Sequence, residues 1–156
     1  MIAINKDERI NLFWNSFLIK FRYPDSVPCT RIFTFSLEQK ESIRFLRLIA
    51  SNKKDIAISP FSSYSDIDEI PKPGDLSIVT DSTGYPHFVI ETVSAEIVPF
   101  SAVDFEHAKR DDDITSLLKW QLEHINSFKE IGKRSGFTFS SDSPVICEEF
   151  KLVYRE

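Results

Sequence analysis

From Asp7 to Phe21 the apolar residues Ile10, Phe13, Trp14, Phe17, Leu18 and Phe21 recur at three- and four-residue steps among polar ones, which predicts an amphipathic helix. Pro24 and Pro28 predict a loop after it. Ser36 with Gln39 reads as a capping box that opens a second helix. Its stripe is Leu37, Ile43, Leu46 and Ile49 with Phe45 alongside, and its end falls near Asn52-Lys53-Lys54. The period then changes. Ile56 with Ile58, Leu76 to Val79, Phe88 to Ile90, and Glu96 to Val98 are short alternating or apolar runs of strand character.

Pro71 to Asp75 and Asp81 to Pro86 read as turns, the second with Gly84 to supply a positive backbone angle, and Ser62 to Ile70 as a longer loop. Ser101 is expected to cap a short helix through Ala108. Asp113 or Thr115 should open a longer one carrying Leu117, Trp120, Leu122, Ile125, Phe128 and Ile131, with Gly132 or Gly136 ending it. A last strand runs from Val145 to Tyr154. Helices at both ends of a strand-rich middle, without regular strand and helix alternation, predict an α+β fold with a mostly antiparallel, barrel-like sheet. The length of 156 residues suits one domain, read as a helical amino-terminal extension over 1–34 and a core over 35–154.

Fourteen Phe and 42% hydrophobic residues supply a core without staples. Only 4 Gly leave little room for a phosphate-cradling loop, which argues against Walker-type chemistry. The formal net charge of -5 gives no global attraction to nucleic acid or to an anionic membrane, so any RNA contact must use a local patch. Cys29 and Cys147 form no CxxC pair and are too few for a zinc site or a secreted disulfide scaffold, which fits a reducing cytoplasm. No cofactor is implied. The start of the chain lacks the apolar run of a signal peptide, and no apolar stretch is long enough to span a bilayer.

Several residues could carry chemistry. Lys54 is a compact point charge suited to a phosphate or carbonyl, although Lys53 and Lys54 at a helix end also complement its dipole. Asp111 in Asp111-Asp112-Asp113 could act as a general base, whereas such a run also suits a solvated helix start with Asp113 as cap. Trp120 and His124 share a helix face and read as core and as a buried hydrogen-bonded group, with base stacking the alternative. Glu91 and Glu148 lie in apolar strands and must face outward or be paired. Tyr64 and Tyr85 sit in loops from which they could stack on a base. His87 and His107 lack metal-ligand partners, and Cys147 reads as a small buried hydrophobe.

The ordered segments Asn52-Lys53-Lys54-Asp55-Ile56-Ala57, Pro73 to Asp81, Ile90-Glu91-Thr92, Val98-Pro99-Phe100, Ser116 to His124 and Pro144 to Phe150 resemble an ASCH domain, closest to the stand-alone bacterial members. The similarity covers about Phe35 to Tyr154. It implies a PUA-like β-barrel with a cleft for RNA or a nucleoside. In the family signature GxKxxT the three positions are Asn52, Lys54 and Ala57, so only the lysine is kept. The expected function is therefore recognition of RNA or a nucleotide in a cleft beside Lys54, with Lys53, Tyr64, Tyr85, His124 and Glu148 around the ligand. One alternative is a hydrolase that cleaves RNA or deacetylates acetylated nucleosides with Lys54 and Asp111. Loss of the Thr hydroxyl at Ala57 weighs against the deacetylation. The other is a protein-interaction module.

Overall fold

A computed structural model describes residues 1–156. The expected first helix forms as α1 (Glu8–Phe21): Asp7 accepts a hydrogen bond from the Ile10 N–H at its start, and Arg22 ends it with φ 58°. Two strands lie outside the expected set, β1 (Ile2–Ala3) and β2 (Arg31–Thr34). Both are too short for alternation to announce them, and β2 falls where the prolines suggested only loop.

Helix α2 (Gln39–Ala50) has no capping box. The Ser36 hydroxyl accepts from the Glu38 N–H, while the Gln39 side chain turns away to accept from the Ser82 N–H and donate to Asp81. Leu37 thus precedes the helix and is exposed, not part of its stripe. Strands β3 (Ile56–Pro60) and β4 (Leu76–Thr80) follow as expected, and two short 3-10 turns occupy the Ser62 to Ile70 region. The runs at Phe88 and Glu96 are one strand, β5 (Pro86–Pro99), interrupted by register shifts at Val89/Ile90 and Thr92/Ser94.

Ser101 lies inside a 3-10 turn (Phe100–Ala102), and the short helix α3 (Phe105–Asp111) starts later, capped by Asp104. Helix α4 (Leu117–Ser135) is capped by Ser116 accepting from the Lys119 N–H, not by Asp113 or Thr115. It ends at Gly136, whose φ of 87° suits glycine, whereas Gly132 lies within the helix. Strand β6 (Pro144–Arg155) closes the chain.

The strands form one sheet in the order β1-β2-β4-β5-β6-β3, antiparallel except for β2 beside β4. The α+β class holds, but β1 and β3 are free edges and the sheet does not close into the full barrel that was expected. Stretch 1–34 also supplies two sheet strands and is not merely a helical extension.

Alternation divides the side chains between two faces. On one face α1 packs on Leu76, Ile78, Val89 and Tyr154, while the packing of Phe100, Trp120 and Phe128 covers Ile56, Ile58 and Val145. On the other, α2 covers Phe33, Ala57, Val79, Phe88, Ile90 and Phe150. Beyond the cover of α2 this second face turns polar. No helix is long and apolar enough to cross a membrane.

Candidate ligand-binding site

The turn after α2 aims Lys54 inward. Asn52 takes φ 61°, a left-handed conformation that asparagine tolerates better than most side chains, and the Lys53 and Lys54 N–H groups both donate to the Leu48 carbonyl. Lys54 is 3% exposed. Its ammonium donates to the Ile56 carbonyl at 2.7 Å, the Asp111 carbonyl at 2.7 Å and Asp111 Oδ1 at 3.0 Å, which uses all three of its protons. It also lies 4.5 Å from the Phe35 ring centroid and 5.4 Å from that of Phe45.

Asp111, in the last turn of α3, receives the Trp120 indole N–H on Oδ2 at 3.0 Å, and His124 Nε2 lies 3.1 Å from the same oxygen. His124 Nδ1 is 3.0 Å from the Trp120 carbonyl, and its ring stacks on the indole at 4.2 Å. Burial alone would raise the pKa of the Asp111 carboxyl, but Lys54, His124 and Trp120 outweigh it and hold the group well below the usual carboxylate range. Lys54, Asp111 and His124 are therefore brought together, as a closed and internally satisfied cluster. Lys54 does not offer its ammonium to solvent, contrary to the expected clamp, because the protein has already filled its donors.

The acidic run has a different explanation from either a base or a helix start. Asp112 makes a two-pronged pair with Arg44 at 2.7 and 3.0 Å, and Asp113 faces Lys53 at 3.4 Å on the surface. Each acid holds a different cation, and together they fasten the α3–α4 turn to α2 and to the turn after it. Lys53 is thus a surface residue. A groove of about 320 Å3 beside this turn includes Glu41, Asp112, Asp113 and Glu123 against Arg44 and Lys119. Its excess of acids, with Arg44 already bound to Glu41 and Asp112, opposes an anionic ligand.

The polar end of the sheet face forms a second cluster. Glu148 is 1% exposed, and its Oε2 accepts from Arg31 Nη2 and from the Thr92 hydroxyl, both at 2.7 Å. Its Oε1 is buried without any hydrogen-bond partner. Arg31 Nε also donates to the Ser77 hydroxyl at 3.3 Å, while Nη1 meets only the Met1 sulfur at 3.8 Å. The guanidinium lies over Phe33. Tyr64 shares a 2.8 Å hydrogen bond with Ser59, and burial pushes its pKa up even though Ser59 and the nearby Arg31 act in the opposite direction.

The two clusters adjoin. Ala57, three residues after Lys54, is the sheet partner of Glu148. Glu148 does not hold Lys54; it is bound by Arg31 from the opposite half of the sheet. Tyr85 is not part of either cluster: it sits on the β4–β5 turn beside Arg9 and His87. There His87 pairs with Asp81 at 3.0 Å, while Glu91 is on β5 facing Lys151. Burial drives the Cys29 and Cys147 thiols up to about 11, so both stay neutral. No group of three or more His, Cys, Asp or Glu side chains is placed to hold a metal ion.

Arg31, Thr92, Ser59 and Ser77 were missed by sequence reasoning. Their signal is slight: single polar residues at inward-facing strand positions, visible only once register is known.

The fold is shared with solved structures. A crystal structure of a protein from Enterococcus faecalis V583 is similar at 26% identity and TM-score 0.83, over 96% of this chain and 95% of that one. The crystal structure of an ASCH domain from Lactobacillus crispatus JV V101 is similar at 26% identity and TM-score 0.82, over 99% of this chain and 100% of that one. No curated protein matches. The family model described as ASCH domain matches residues 31–154, which begins at Arg31 and takes in β2, all of the polar cluster except Met1, and the Lys54–Asp111 pair. On that match the chain belongs to the ASCH domain family.

Proposed function

We propose that this protein binds single-stranded RNA or a nucleotide-like ligand at the polar end of the sheet face, with Arg31, Tyr64 and Glu148 facing the ligand and Lys54–Asp111 holding the adjoining wall. The observation that carries this reading is the buried Glu148 Oε1 without a partner. A buried ionic oxygen left unpaired is costly, so this one calls for a donor from outside the chain. Family membership supports the same conclusion, since ASCH domains are broadly PUA-like, RNA-binding-like modules.

Two features favour binding over hydrolysis. The Lys54 ammonium is saturated by internal acceptors, and residue 57 is an alanine with no hydroxyl to attack or polarise a carbonyl. The ligand should meet few cations, so affinity for single-stranded RNA should fall only shallowly with salt, by about one to three released counterions. Titration with a short single-stranded RNA at two salt concentrations tests this, together with Arg31→Ala. Binding with a shallow slope that Arg31→Ala weakens supports the reading. Absence of binding to RNA and nucleotides at low salt would defeat it and favour a protein-interaction role.

A further inference from the structure

Resting on that reading, we infer that the Arg31–Glu148 cluster recognises the hydrogen-bonding edge of an uncharged planar heterocycle, of the nucleobase kind, and not a phosphate. Glu148 Oε2 is filled by Arg31 and Thr92, whereas Oε1 has no donor. Arg31 Nε and Nη2 are committed to Ser77 and Glu148, whereas Nη1 has only a thioether at 3.8 Å. Among the side chains, what remains is one buried acceptor beside one weakly used donor group. The pKa of the Met1 amine, close to Arg31 and Lys54, is brought down to about 6, chiefly by burial and then by Lys54, so it adds no full charge at neutral pH to attract a phosphate. A phosphate would bring negative charge and acceptor oxygens toward a carboxylate oxygen that itself needs a donor. A nucleobase edge offers an N–H next to a carbonyl or ring nitrogen, which answers both groups at once.

The aromatic and aliphatic surroundings suit the same ligand. The guanidinium lies 5.0 Å from the Phe33 ring centroid, and Tyr64 is close enough to Arg31 and Glu148 to feel both charges. Met1, which immediately precedes the two-residue edge strand β1, supplies the sulfur that now faces Nη1, so the ligand would take the place of its side chain.

The sheet pairing adds a constraint. Ala57 on β3 and Ala95 on β5 flank Glu148 on its two sides, and neither carries a hydrogen-bond donor in its side chain. Nothing on those positions can quench Oε1, whereas a serine at 57 would put a hydroxyl beside it.

The test is a binding titration of the full chain with cytidine, uridine, adenosine and guanosine, with ribose 5-phosphate and inorganic phosphate as the phosphate-bearing probes. The tightest nucleoside is then compared with its N-methylated form that lacks the base N–H donor. Wild type should bind a nucleoside and neither phosphate probe, and should lose about ten- to a hundredfold in affinity for the donor-blocked form. In Glu148→Gln the amide oxygen stays with Arg31 and Thr92, which donate, so the amide nitrogen replaces Oε1 and presents N–H where an acceptor stood. The penalty for the donor-blocked form should then shrink to within about threefold, which a simple steric clash of the methyl group would not do.

If Glu148→Gln does not fold, Ala57→Ser should supply an internal donor to Oε1 and lower both the affinity and the donor penalty. RNA binding with no nucleoside binding, or tighter binding of the phosphate probes, would overturn this inference and leave the broader reading standing. So would a donor penalty unchanged in the variants. No binding of RNA or any nucleoside overturns both.

Discussion

Replacing Lys54 by methionine should be among the most damaging single changes on this sheet face. Lys54 and Asp111 are almost wholly buried, their charges are 3.0 Å apart, and the lysine's other two protons are fixed on carbonyls. Methionine keeps the length of the side chain but leaves the Asp111 carboxylate without its main counterion and two carbonyls without their donor. Breaking a buried pair from one side costs about 3–5 kcal/mol. Against a total stability of about 5–15 kcal/mol that is a large share. In a chain of this size each kcal/mol lowers Tm by roughly 2–4 °C, so the melting point should fall by roughly 6–20 °C.

The double change Lys54→Met with Asp111→Leu removes both charges and should recover part of the loss. Recovery stays incomplete, because the Trp120 indole N–H then has no acceptor, at a cost of about 1–3 kcal/mol. Urea unfolding of the parent, the two single variants and the double variant gives the coupling directly. A Lys54→Met protein within about 1 kcal/mol of the parent would refute the buried-pair reasoning and return Lys54 to the surface role that its position after a helix suggested.

Acid unfolding should involve Asp81: burial alone would raise its pKa, but Thr83, His87 and Gln39 lower it from 3.8 to about 2. Its contribution is present above about pH 4 and lost as pH falls toward 2, so Asp81→Asn should flatten stability against pH in that window, measured by thermal melts. Gly132→Ala should disrupt the end of α4, because the added Cβ would run into the Phe137 backbone oxygen; a loss above about 2 kcal/mol is expected, and a neutral result in chemical denaturation would contradict it. Lys53→Ala breaks only an exposed pair and should stay within about 0.5 kcal/mol of the parent by the same measurement. Truncation after Ser143 removes β6, including fully buried Val145, Ile146 and Phe150, and should abolish a cooperative melt; a sharp transition in the shortened chain would show that β6 is dispensable.

The long periodic elements were legible in the sequence. Helix α1 and the strand cores at Ile56, Leu76, Phe88 and Val145 stand where apolar spacing put them, because burial on one face imposes that spacing. Caps were harder, since Ser36, Ser101, Asp113, Thr115 and Ser116 all have suitable side chains and the choice depends on backbone geometry several residues away. The two-residue β1 and four-residue β2 carry no period to read. For the site, Lys54, Asp111, His124, Tyr64 and Glu148 were named as candidates, but which of them meet could not be read from separation along the chain. The parallel pairing of β2 with β4 is what carries Arg31 to Glu148, across 117 positions of sequence.

Strand β3 has a single sheet neighbour, β6, and that neighbour is the last element of the chain. During synthesis Ile56, Ala57 and Ile58 therefore emerge long before anything can complete their hydrogen-bond ladder. At a synthesis rate of about 5–20 residues per second, the wait between Pro60 and Pro144 is roughly 4–17 s. Over that interval the segment is a bare apolar strand on a growing chain, open to pairing with a neighbouring copy. Pro60 at its end and the Lys53-Lys54-Asp55 charges just before it are the features that restrain such pairing. Chaperone dependence in the cell should accordingly track the delay before β6 is made, and a version synthesised more slowly after residue 60 should aggregate more.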